Sequence, residues 1–179
     1  MRKVRYTGAS SMYAWRFAKA LYLADKQGWS RFISMQPQYN LMYREEEREM
    51  LPLCLAEGIG VMPWSPLARG RLALPWADRS SSRRFASDAV AEALYSGTES
   101  EDRLVVDRLT EVAAEKGVPQ AQVALAWVIQ HPSVSSTIVG ATKRTHLEDA
   151  IAALDISLTA PEKTRLEEPY LPHAWQTPY

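Results

Sequence analysis

The chain has 179 residues, 46% of them apolar, with 21 basic and 21 acidic side chains and so no formal net charge. That length suits one domain with a substantial core, and the charge balance excludes a general electrostatic pull toward nucleic acid or an anionic membrane. One cysteine, Cys54, excludes an internal disulfide, and no apolar run reaches the roughly 20 residues that cross a bilayer, so a soluble, cytoplasmic protein without a membrane partner is expected.

Short β-like runs alternate with helical stretches along the chain, a pattern that predicts α/β units around a mainly parallel sheet. Val4–Ala9 is the first strand candidate. Ser10 or Ser11 is placed to cap a helix whose apolar face is Ala14, Phe17, Ala18, Leu21 and Ala24, with Gly28 at its end. Arg31–Met35 is the second strand, and Arg44–Glu57 the second helix, with Glu45, Glu46 and Glu47 in its first turn. Ile59–Trp64 is the third strand. Residues 69–100 hold three consecutive serines and several arginines with few apolar side chains, which predicts a long loop. A helix is expected over Asp102–Lys116, closed by Gly117, and another from Pro119 through Gln130. Ser136–Val139 is the fourth strand. Thr145 with Glu148, and Thr159 with Glu162, carry the spacing of capping boxes at the starts of the last two helices.

Four βα units account for the whole chain, half of a (β/α)₈ barrel. In such barrels the chemistry lies on loops that follow the strands' C-terminal ends. Those loops begin near Ser10, Gln36, Trp64 and Gly140. The last reads GATKRTHLEDA over Gly140–Ala150: an apolar run, a glycine turn, the cations Lys143 and Arg144, then a helix start. Unpaired N–H groups at a helix N-terminus favour an anion, and the two cations add formal charge at the same place.

At these loops the chain resembles the C-terminal half of the aldo-keto reductase superfamily. The resemblance rests on Tyr6–Ser10 (YTGAS), Gln36–Asn40 (QPQYN), Pro63–Gly70 (PWSPLARG) and Ile138–Thr142 (IVGAT), in that order, and covers essentially all of residues 1–179. It looks closest to bacterial members related to potassium-channel β subunits and general stress reductases. It implies a (β/α)₈ TIM-barrel fold of which about the last four βα units are present, as a single partial domain. It also implies NADP(H) as cofactor and reduction of a small carbonyl substrate to an alcohol by hydride transfer.

By the same resemblance, Ser10 and Gln36 match positions that bond the nicotinamide carboxamide, and Trp64 matches the aromatic that stacks on the ring. Ser65, Leu67, Arg69 and Gly70 match a loop folded over the pyrophosphate. Arg84 lies in the 69–100 stretch, expected to cover the cofactor. Gly140, Thr142, Lys143, Arg144, His146 and Asp149 match the adenosine end, where a 2′-phosphate would favour NADP. Ala150 and Ser11 depart from the family, which often places asparagine at the first position and asparagine or arginine at the second.

The family's Asp, Tyr, Lys and His tetrad comes from the first half of its barrel, and no residue here matches it, so no catalytic residue is assigned. Four strands cannot close a barrel, which leaves edges with unpaired backbone groups and the inward side chains of Val4, Ile33, Val61 and Ile138 without an opposing layer. The expectation is a dinucleotide-binding portion of an oxidoreductase, inactive alone and completed by a homodimer or a complementing chain. The alternative is a non-catalytic module that senses a dinucleotide or binds another protein. A truncated gene product, a fragment and a true half-barrel stand as equal readings of the chain's extent.

Overall fold

A computed structural model of the chain describes residues 3–81, 88–95 and 97–174. Three short strands, β1 (Gly8–Ser10), β2 (Ser34–Gln36) and β3 (Gly60–Val61), form a parallel sheet in the order β1-β2-β3. Gly8, Ala9 and Ser10 stand opposite Ser34, Met35 and Gln36, and Ser34 opposite Gly60. A Cβ at Gly8 would collide with Ser34 Oγ and approach the Ser34 carbonyl to 3.3 Å, so a side chain there would have to displace the Ser34 hydroxyl. Helix α1 (Ala14–Gln27) connects β1 to β2, and α2 (Met50–Ala56) connects β2 to β3. This is an open α/β sheet of the parallel βαβ type, with no barrel closure among the described residues.

The remaining helices are α3 (Ala89–Tyr95), α4 (Glu99–Lys116), α5 (Gln120–Ile129), α6 (Arg144–Ala152) and α7 (Ala160–Glu167). Phe17 and Leu21 of α1, Met35 and Val61 of the sheet, Leu51 of α2, and Val105, Leu109 and Val112 of α4 share one core with Val123 and Val128 of α5. Gly28 and Gly117 end α1 and α4 in the left-handed conformation, at φ 65° and 66°, where a side chain would be strained. Thr159 and Glu162 close their capping box at α7.

Several elements differ from the sequence expectations. Neither Ser10 nor Ser11 caps α1, because Tyr13 stands at its N-cap and makes no side-chain cap bond. The helix expected over 44–57 is divided: Glu45–Glu47 form a 3₁₀ turn, and α2 starts only at Met50. Pro52 supplies the reason, since it has no N–H for the Arg48 carbonyl and its ring crowds that carbonyl in a continuous helix. The fourth strand does not form. Val61 bridges Val134, but the amides of Ser135 and Ser136 both point at the Val61 carbonyl (2.9 and 3.4 Å), a bulge that interrupts the ladder. Ile138 N still donates to the Pro63 carbonyl at 2.9 Å, which keeps the run beside β3. At α6, Lys143 is the N-cap and Glu148 pairs with Arg144 at 2.7 Å, so Thr145 and Glu148 make no capping box.

The 69–100 stretch is more structured than a loop, with a 3₁₀ segment at Trp76–Ser81 and then α3. Leu72, Ala91 and Tyr95 of this stretch are buried. Of the four side chains expected to point inward, only Val61 is buried; Val4, Ile33 and Ile138 are exposed. Val4 precedes β1, and no described element covers the outer side of Ile33 and Ile138. No helix among the described residues is long and apolar enough to cross a membrane.

Candidate functional site

The parallel register brings Ser10 and Gln36 side by side at the C-terminal edge of the sheet. Ser10 Oγ donates to the Gln36 carbonyl at 3.2 Å, and the Ser11 amide donates to the same oxygen at 3.2 Å. Beyond β2 the pairing continues: Gln38 bridges Trp64, and Trp64 N donates to the Pro37 carbonyl at 2.9 Å. Three residues picked from the sequence, Ser10, Gln36 and Trp64, therefore meet on one edge. Ser10 is exposed, while Gln36 and Trp64 are half-buried, so all three offer polar or aromatic surface.

The chain then makes a turn of unusual conformation. Ser65, Ala68 and Arg69 have φ of 52°, 46° and 57°, the left-handed region that costs a non-glycine residue about 1–2 kcal/mol each. Gly70 follows at φ 97°. No other non-glycine residue among the described ones has positive φ. Such strain persists only where surrounding contacts over-determine it, and it gathers at ligand sites.

The contacts that hold this turn come from residues to which sequence reasoning gave no role. Asn40, fully buried, donates Nδ2 to the Ser65 carbonyl at 2.9 Å and to Tyr95 Oη at 3.2 Å, and its Oδ1 accepts from Met42 N at 2.9 Å. Gln38 Nε2 also donates to Tyr95 Oη, at 3.1 Å. Burial pushes the Tyr95 phenol up to about 12, so it stays protonated. Asn40 belongs to the QPQYN run, where a polar residue between apolar neighbours was the available signal; Tyr95 lies 55 positions further along and gave none. Arg69 is held by Asp88, Nε to Oδ2 at 2.8 Å, while Asp88 Oδ1 accepts from Ala91 N and thereby ties α3 to the turn. Arg84 lies outside the described residues.

The segment from Gly140 is different. It is exposed throughout Gly140–Glu148, including Thr142, Lys143, Arg144 and His146 at the start of α6. Thr142 Oγ1 lies 3.5 Å from His146 Nδ1, and Arg144 pairs with Glu148. Asp149 is half-buried and accepts from Gln122 Nε2 at 2.8 Å, a bond that anchors α6 to α5. The Ile138 and Thr137 bonds to the Pro63 carbonyl (2.9 and 3.4 Å) bring this segment out next to Trp64.

Together these residues offer polar, aromatic and cationic groups. The strand ends supply a hydroxyl, an amide and an indole. A Cβ built on either Gly70 or Gly140 meets no atom within 4 Å, so both backbones are open to close approach. No group of His, Cys, Asp and Glu among the described residues is arranged to hold a metal.

Comparison with known proteins converges on one family. The sequence pattern of the aldo/keto reductase family matches residues 3–170. The chain is 49% identical over 173 residues to versiconal hemiacetal acetate reductase of Aspergillus parasiticus, covering 96% of this chain and 50% of that protein. It is 42% identical to an aldo-keto reductase of Fusarium vanettenii, covering 97% of this chain and 46% of that protein, and 42% identical to aldo-keto reductase AMT2 of Alternaria alternata, covering 95% and 45%. The chain thus spans about half the length of the curated relatives it matches. It belongs to the aldo/keto reductase family.

Proposed function

We propose, with that family membership as the premise, that these 179 residues form the NADP(H)-holding part of an oxidoreductase that reduces a carbonyl to an alcohol. The observation that carries the reading is the meeting of Ser10, Gln36 and Trp64 on one sheet edge, continuous with the strained turn Ser65–Gly70. The chemistry that a bound nicotinamide dinucleotide would supply at this edge is hydride for a carbonyl carbon.

Each residue then has a task that its chemistry suits. Ser10 and Gln36 offer a hydroxyl and an amide, which between them donate to and accept from a carboxamide and so set which ring face is presented. Trp64 offers a flat π surface for stacking. The Ser65, Leu67, Arg69 and Gly70 turn would hold the pyrophosphate, where a charge-assisted bond from Arg69 would compete with its pair to Asp88. Arg84 belongs to the same covering segment by family resemblance. Gly140, Thr142, Lys143 and Arg144 would receive the 2′-phosphate at the start of α6, His146 would offer a ring N–H there, and Asp149 would accept from the adenine amino group.

No residue of this chain is assigned to give a proton to the developing alkoxide. Carbonyl reduction therefore requires the tetrad region from a longer or a complementing chain; a second copy, with the same sequence, would add strands but no tetrad. The test is a titration of NADPH into the chain, followed by tryptophan fluorescence, with Trp64→Phe as control. Quenching that saturates and is lost in the control is expected, with no aldehyde-dependent NADPH oxidation on 4-nitrobenzaldehyde. Aldehyde-dependent oxidation by this polypeptide alone would overturn the missing-proton-donor part; a flat titration would overturn the cofactor reading.

A further inference from the structure

Trp64 is held at its backbone and at its indole by residues that follow the two neighbouring strands, β2 and β1. Its amide donates to the Pro37 carbonyl at 2.9 Å, just beyond β2. Its indole Nε1–H donates to Ser11 Oγ at 3.1 Å, across 53 positions of sequence. Ser11 is itself pinned, because its amide donates to the Gln36 carbonyl at 3.2 Å. The backbone of Trp64 thus refers directly to the end of β2, and its indole refers to the same place through Ser11, the residue after β1.

The distal bond matters because of how a tryptophan side chain moves. Torsion about the Cβ–Cγ bond is broad, so the backbone alone does not set the plane of the ring. Trp64 is only half-buried, so packing does not enclose it. An indole has a single polar handle, its Nε1–H, and a serine hydroxyl at Ser11 gives that handle an acceptor. Alanine or a hydrophobic residue at this position would leave the ring free to tilt.

We infer that Ser11 is a positioning residue: its hydroxyl fixes the plane in which Trp64 presents its indole to a nicotinamide ring, an inference that rests on the dinucleotide reading above. Ser11 needs no contact with the dinucleotide. Its effect passes through the indole.

The test uses the full chain, ¹⁵N-labelled, with the Trp64 indole resonance identified by its loss in Trp64→Phe. In Ser11→Ala that resonance is expected to shift, and its exchange with solvent to quicken by about three- to tenfold, the factor matching one hydrogen bond of ordinary net strength. NADPH binding weakens by a similar factor. Ser11→Thr, which keeps the hydroxyl, restores both values and controls for folding. An unmoved indole resonance in Ser11→Ala, in a chain where NADPH does perturb Trp64, overturns the inference and leaves the dinucleotide reading standing. A Trp64 resonance that NADPH leaves unmoved in the unsubstituted chain overturns the dinucleotide reading and this inference with it.

Discussion

The strand-end region around Trp64 and the start of α6 at Arg144 are built in opposite ways. The first is preformed: a run of left-handed residues is locked by Asn40, Gln38 and Tyr95, all buried, and by the Arg69–Asp88 pair. The second is an exposed helix start whose charges stand in water and which the Asp149–Gln122 bond ties to α5. A preformed site spends strain and buried polar groups to hold geometry, which suits a ring that must be presented in one orientation. An exposed cationic helix start holds charge with little geometry, which suits a phosphate that only needs to be neutralised.

The buried support of the strand-end region is the part expected to respond most to pH, because Asp102 acts electrostatically on Tyr95. Asp102, in the first turn of α4, is buried and accepts from Thr98 Oγ1 at 2.9 Å, and burial raises its carboxyl from 3.8 to about 7. A carboxyl with a raised folded-state pKa stabilises the fold fully below its unfolded pKa, and this contribution is lost as pH rises toward 7. At roughly 1.36 kcal/mol per pKa unit, the loss is at most about 4 kcal/mol. The groups facing Asp102 are Arg71, Arg79, Glu101 and His173, whose Nε2 lies 3.5 Å away. Burial lowers the His173 pKa, so its own contribution has the opposite sign and is lost as pH falls. Urea unfolding of Asp102→Asn and the unsubstituted chain should therefore give a stability difference that moves in favour of the variant between pH 4 and 8. A difference that stays constant across that range would refute the assignment to Asp102.

Asn40→Ala is expected to come next in size. It removes the partner of the Ser65 carbonyl, the Tyr95 hydroxyl and Met42 N at a site with no exposure, and one unsatisfied buried polar group costs about 1–3 kcal/mol. A loss of about 3 kcal/mol in urea unfolding, together with loss of NADPH quenching, would confirm that the turn is preformed by its buried support. Unchanged quenching would show that the turn keeps its shape without Asn40.

The two regions also differ in how far the sequence revealed them. Short-range chemistry read well: Gly28 and Gly117 ended their helices, and Thr159 with Glu162 made a capping box, because each depends on neighbours within one turn. The same spacing misled at Thr145 and Glu148, where Arg144 took the glutamate one turn away and the N-cap is Lys143, two residues before Thr145. Pro52 carried the break in the second helix openly, but the acidic run before it suggested a continuous helix start. The loop motifs located Ser10, Gln36 and Trp64, and strand register did bring them together. What no local pattern could show is the support beneath them, since Asn40 reaches Tyr95 across 55 positions and Trp64 reaches Ser11 across 53.

The smallest expected effect probes the exposed end. Lys143 is the N-cap of α6, is exposed, and caps with no side-chain bond, so Lys143→Ala should leave unfolding unchanged within about 0.5 kcal/mol. Its value lies in charge. A unit charge about 4 Å from a phosphate charge in water is worth about 1 kcal/mol, or roughly fivefold in affinity. NADPH should therefore bind about fivefold more weakly to Lys143→Ala, whereas NADH, without the 2′-phosphate, should be unaffected. Because the site is exposed, the difference should fade as salt shortens the screening length from about 10 Å at 0.1 M toward 3 Å at 1 M. An equal loss for NADPH and NADH would mean that Lys143 acts on a part common to both, and the 2′-phosphate assignment would then fall while the preformed strand-end region kept its role.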